Sequence, residues 1–128
     1  MTCNSVKGAC GVTEEDQLLP FRFDHSFQLW SYSKSHAKLV LRGRPGEEYD
    51  HFVDVIFTSV LGMKLAAGYK RLSVFAATDV SEMDEFLHMP GRYERGFMNL
   101  EVSDGVRKGF VVCKRVLVRR GIGWQDSV

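Results

Sequence analysis

The stretch Phe27-Gln28-Leu29-Trp30-Ser31-Tyr32-Ser33-Lys34-Ser35-His36-Ala37-Lys38-Leu39-Val40-Leu41-Arg42 decides how the chain folds. On an extended strand Phe27, Leu29 and Ser31 fall on one face and Trp30 and Tyr32 on the other, a period near two that no helical stripe matches. Ser33-Lys34-Ser35-His36 supplies turn chemistry. On the return, Ala37, Leu39 and Leu41 point one way, and Lys38 and Arg42 share the other face with Val40, the pattern of a half-buried antiparallel strand. The reading is a β-hairpin over 26–42.

Beyond it the same texture continues. Gly43-Arg44-Pro45-Gly46-Glu47-Glu48 reads as a loop, because proline and glycine break a ladder. Phe52 to Thr58 is rich in strand formers on both faces, which predicts a central strand covered on two sides, with Asp54 as its one charge. Met63-Lys64-Leu65 alternates as a short strand, Ala66 to Lys70 turns through Gly68, and Leu72, Val74 and Ala76 form the inward set of another. Residues 78–87 are a helix candidate, since Thr78 or Ser81 can cap it and acids fill its first turn, with Pro90-Gly91 beyond its end. Two last strands, Phe97 to Ser103 and Val106 to Arg119, meet at Asp104-Gly105, a type I′ hairpin signal.

Toward the N-terminus, Thr13 followed by Glu14, Glu15 and Asp16 predicts a very short helix that Pro20 stops. Residues 1–11, made of small and polar side chains without periodicity, read as a flexible leader to a single β-rich domain over 12–128. About seven short strands with hairpin-length connections predict a mainly β fold, an antiparallel meander closing as a small barrel or sandwich with one or two short helices. Crossover helices of βαβ length are missing, which excludes a dinucleotide-binding α/β fold.

Composition sets the remaining bounds. At 128 residues, with 45% hydrophobic and 26% charged side chains, the chain has enough apolar mass for one core and no bias toward disorder. A formal charge of +1 gives no global pull toward nucleic acid or an acidic membrane. No apolar run reaches the roughly 18 residues that span a bilayer, and the first residues lack a secretory pattern. Cys3, Cys10 and Cys113 are an odd count, which fits reduced thiols in a cytoplasm, and Cys3 and Cys10 have no neighbouring His or third Cys to complete a metal site.

Few residues offer chemistry. The glycine spacing of a phosphate cradle is absent, as is the glycine pattern flanking a nucleophilic serine. Glu47, Glu48, Asp50, His51 and Asp54 concentrate acid, base and ligand types, yet residues three apart on a strand face opposite sides. A solvated acidic loop, with Asp54 paired to Lys38 or Arg42, is the simpler expectation. His25, His36 and His88 read as surface residues near turns. Cys113 reads as a buried, inert thiol.

Two surfaces remain. Arg107, Lys108, Lys114, Arg115, Arg119 and Arg120 face Asp104 alone between positions 104 and 120, and a basic ribbon near Phe97, Phe110 and Trp124 can grip single-stranded nucleic acid. Solubilising charge on a strand's wet face explains the same residues more simply. Trp30 and Tyr32 are core residues on the commoner reading and partner contacts if exposed.

The Leu29 to Gly43 stretch followed by Val53-Asp54-Val55-Ile56-Phe57 resembles small bacterial single-domain proteins in which a tryptophan-bearing hairpin precedes an apolar strand and a short meander. The resemblance spans residues 21–78, implies a bacterial, cytoplasmic β domain, and carries no activity or site residues. The expectation is therefore a non-enzymatic domain, without cofactor, that binds a protein partner or itself through Trp30 and Tyr32. Single-stranded nucleic acid on the basic C-terminal hairpin comes second, and small-molecule binding or catalysis in a barrel cavity, joining His51, Asp54 and Cys113, comes third.

Overall fold

In the computed structural model, residues 12–16, 18–44 and 51–122 are described, with the backbone alone for 12–16, 51 and 122. The leader, the loop carrying Glu47, Glu48 and Asp50, the His51 side chain and Trp124 lie outside the described residues.

The described chain forms eleven strands: β1 (Val12–Asp16), β2 (Phe21–Phe23), β3 (Phe27–Ser33), β4 (Lys38–Gly43), β5 (His51–Thr58), β6 (Gly62–Lys64), β7 (Gly68–Tyr69), β8 (Leu72–Ala76), β9 (Met98–Ser103), β10 (Lys108–Cys113) and β11 (Arg115–Ile122). A single α-helix, α1 (Ser81–Leu87), and a 3₁₀ turn at Pro90–Arg95 lie between β8 and β9. Two antiparallel sheets result, with strand orders β1-β11-β5-β4-β3-β7 and β2-β8-β9-β10-β6. Neither closes on itself into a barrel. Among the described residues no helix is long and apolar enough to cross a membrane.

One apolar cluster joins the two sheets. Leu39, Leu41, Val53, Val55, Phe57, Val116 and Val118 of the first sheet meet Leu72, Val74, Leu100, Val102, Val111 and Cys113 of the second, all buried. Their alternate spacing along each strand puts them on one face, as period-two patterning requires. A smaller cluster of Met83, Phe110 and Val112 lies on the opposite face of β10 and is covered by α1, so β10 is buried on both sides.

The hairpin and the central strand stand where the sequence puts them, and several details differ. Val12–Asp16 is a strand rather than a helix: it pairs with β11, setting Thr13 opposite Arg120 and Glu14 opposite Arg119. Five residues cannot recover the cost of nucleating a helix, whereas a bare strand edge supplies ready partners. β4 is buried along nearly its whole length instead of half-buried, because β3 and β5 flank it and both its faces are covered. Gly68 and Tyr69 form a two-residue strand against β3 rather than a plain turn. Ala76 is exposed at the end of β8, while Leu72 and Val74 face the core.

The run expected as one strand from Val106 to Arg119 is two. It breaks at Lys114, with β10 in the second sheet and β11 in the first. The Asp104-Gly105 turn is a wider loop than type I′, since Ser103 pairs with Lys108 and only Gly105 has a positive φ, of 94°. Its closure comes from the Asp104 carboxylate, which accepts the backbone N–H groups of Val106, Arg107 and Lys70 and is held near pKa 2 by those bonds. Neither Thr78 nor Ser81 caps α1; instead Asp79 accepts the Ser81 N–H and hydroxyl, bonds that lower its carboxyl pKa. Pro90 opens the 3₁₀ turn.

Candidate functional site

Trp30 owes its position to a fault in the ladder. β3 pairs with β4 from Phe27 to Ser33, but the register shifts between Leu29 and Ser31, so Trp30 is an extra residue. A bulge of this kind resets which side chains face the core. Phe27 is buried, yet Leu29, Trp30 and Tyr32 are 43%, 42% and 41% exposed, which overturns the expectation of core packing for Trp30 and Tyr32 and the strict two-face alternation. On its other side β3 pairs with β7 only at Phe27 and Gln28, and the Leu29 N–H reaches Ala67 O. From Trp30 onward that edge has no ladder partner among the described residues.

Beneath Trp30 lies a charged row that crosses the sheet. Registers place Arg119 opposite Asp54 and Asp54 opposite Arg42. Arg42 donates to the Asp54 carboxylate through Nε at 2.6 Å and Nη2 at 2.8 Å, and Arg119 Nη2 donates to Asp54 Oδ2 at 2.6 Å. The Arg42 guanidinium is also held between the rings of Trp30 and Phe52, 4.6 Å from each centroid, and Arg44 stands 5.8 Å from the Trp30 ring. The expected pairing of Asp54 with Arg42 is therefore present, but both groups are buried rather than solvated. Asp54 sits on the face of β5 opposite Val53 and Val55, whereas Cys113 belongs to the core between the sheets, so a cavity joining the two does not form. Burial pushes the Cys113 thiol up to about 12, the inert state expected of it.

The six basic C-terminal residues are divided by the break at Lys114. Arg107 and Lys108 belong to the second sheet's end, and Arg115, Arg119 and Arg120 to the first sheet. Contacts within the chain hold several of them: Arg107 donates to Gly68 O, Lys114 lies over Phe97, Arg119 binds Asp54, and Arg120 lies over Phe23. His25 packs among Phe23 and Phe27, while His36 is exposed and meets the hydroxyls of Ser33 and Ser35.

One polar cluster had no sequence signal. Arg92, from the 3₁₀ turn, is fully buried and binds Asp84, Asn99, Tyr93 and the Met89 carbonyl. An arginine within Pro90-Gly91-Arg92-Tyr93-Glu94-Arg95 reads as solvated, and only the fold reveals that it ties α1 to β9. No group of three or more His, Cys, Asp or Glu side chains that could hold a metal ion occurs among the described residues. No family model, no curated protein and no solved structure matches the chain.

Proposed function

We propose that this chain is a non-enzymatic protein-interaction domain that takes an extended segment of a partner along the outer half of β3. The observation that carries the reading is the coincidence of Leu29, Trp30 and Tyr32, each about two-fifths exposed, with a strand edge that lacks a ladder partner among the described residues. A segment adding as a strand gains main-chain hydrogen bonds from such an edge and specificity from the flanking side chains. Trp30 rests on Arg42, which Asp54 fixes, so little side-chain freedom is lost on binding.

Charge indicates the partner's chemistry. From His25 to Arg44 the sequence has no acidic residue and, besides Arg42 whose charge Asp54 offsets, carries Lys34, Lys38 and Arg44, which favours a segment bearing Asp or Glu. Single-stranded nucleic acid could use the same rings and bases, yet it has no backbone donors and acceptors to continue a β ladder. On this proposal the two sheets form a sandwich with a purely structural interior, in a bacterial cytoplasm where Cys113 stays reduced.

The experiment is a peptide array of extended Val/Thr-rich octamers with acidic, neutral or basic flanks, read against the wild-type chain, Trp30→Ser and Tyr32→Ser. Acidic peptides should bind the wild type, and each variant should lose about tenfold or more in affinity with its circular dichroism unchanged. Absence of peptide binding, or binding to oligothymidylate alone with a steep salt dependence, overturns the reading.

A further inference from the structure

A cleft of about 440 Å³ beside α1 is lined by Asp84, His88, Pro90 and Tyr93. It is separate from the β3 surface, and its chemistry follows from the hydrogen bonds behind it. Arg92 Nε donates to one end of the Asn99 amide at 3.1 Å. Because a guanidinium only donates, that end must be the oxygen, and the other end is the NH₂ group. The Asn99 NH₂ then donates to the Tyr93 hydroxyl at 2.6 Å, and Arg92 Nη2 donates to the same oxygen at 3.1 Å.

The Tyr93 oxygen thus accepts two hydrogen bonds, and no acceptor for its own proton occurs among the described residues. It is a committed donor. Asp84 uses Oδ1 on Arg92 Nη2 at 2.6 Å, its side chain is half exposed, and Oδ2 is left as an acceptor. His88 adds an exposed imidazole to the same cleft. Its backbone has φ 53°, the left-handed cap position where glycine is the usual residue, so the ring is held there against a conformational preference.

Charge and shape narrow the ligand. The Asp84 carboxylate is offset by the Arg92 guanidinium, which leaves no net charge to attract an ion. A donor and an acceptor side by side suit vicinal hydroxyls, each of which both donates and accepts. The Pro90 ring and the half-exposed Tyr93 ring offer flat apolar surface for C–H groups. We propose that this cleft binds a neutral polyhydroxylated molecule, a monosaccharide or a sugar unit of a glycan, with the Tyr93 O–H donating to one hydroxyl and Asp84 accepting from its neighbour.

The test is saturation-transfer NMR on the full chain with methyl α-glucoside, methyl α-galactoside, methyl α-mannoside and the charged methyl glucuronoside as probes. At least one neutral glycoside should receive saturation. Tyr93→Phe, which keeps the ring and removes the donor, should weaken that signal about fivefold or more. His88→Gly should also weaken it while raising the melting temperature, an opposition that misfolding cannot produce. Saturation of none of the neutral probes, stronger binding of the charged one, or a signal unchanged in both variants overturns the proposal.

Discussion

Arg42 and Asp54 stand directly opposite each other on β4 and β5, and the guanidinium meets the carboxylate through two parallel bonds in a buried setting. Such a pair is costly to desolvate and costlier to break, since a lone partner keeps its charge without its counterion.

Asp54→Ala leaves Arg42 and Arg119 facing one another, and it should destabilise the fold by about 3–5 kcal/mol. Arg42→Met with Asp54→Leu should recover part of that loss, because Trp30 and Phe52 can pack on an apolar side chain of similar length. Urea unfolding of Arg42→Met, Asp54→Leu and the variant carrying both measures the coupling, expected at about 1–3 kcal/mol. Additive losses would show that the pair does not act as a unit.

Gly109 lies in β10 where the chain leaving β6 crosses it. A Cβ there would stand 2.2 Å from the Lys64 carbonyl oxygen and 2.8 Å from the Tyr69 hydroxyl. That hydroxyl accepts the Ala66 N–H, so neither neighbour retreats freely. Gly109→Ala should cost about 1–3 kcal/mol in thermal or urea unfolding. Gly91→Ala, which meets nothing within 4 Å, should stay within about 0.5 kcal/mol of wild type.

Asp104 makes the fold's stability depend on acidity. Its folded pKa of about 2 lies below the ordinary 3.8, so folding favours the carboxylate. The stabilisation is complete above the ordinary value, fades as pH falls, and is gone below about 2. Asp104→Asn should therefore unfold at lower urea than wild type at neutral pH, and the two midpoints should converge as the medium is brought down through that window. A gap of constant size at every pH would exclude the carboxylate as its source.

The hairpin and the central strand were readable because hydrophobic period and turn chemistry are local properties. Asp54 was readable as paired because a lone acid in an apolar strand needs a cation. Trp30 escapes a period-two reading because the register shift between Leu29 and Ser31 in the β3–β4 ladder inserts one extra residue, and the apolar spacing alone does not mark where a bulge falls. At Lys114-Arg115 a signal exists: two adjacent charges end the continuous apolar run from Phe110 to Cys113. Val12–Asp16 carries the residues of a helix start, and the edge of β11 prevails over them. Arg92 gave no sign, since its partners Asp84 and Asn99 come from different elements.

β11 lies between β1 and β5, with Val12 opposite Gly121. The earliest described strand can therefore be seated only by the latest one. During synthesis on the ribosome, the flank of β5 that β11 covers stays bare until residues 115–122 have emerged, and a slow assembly dominated by distant pairings follows. Any nascent intermediate presents Asp54 without its Arg119 partner, a polar gatekeeper on an unfinished margin that discourages strangers from pairing there.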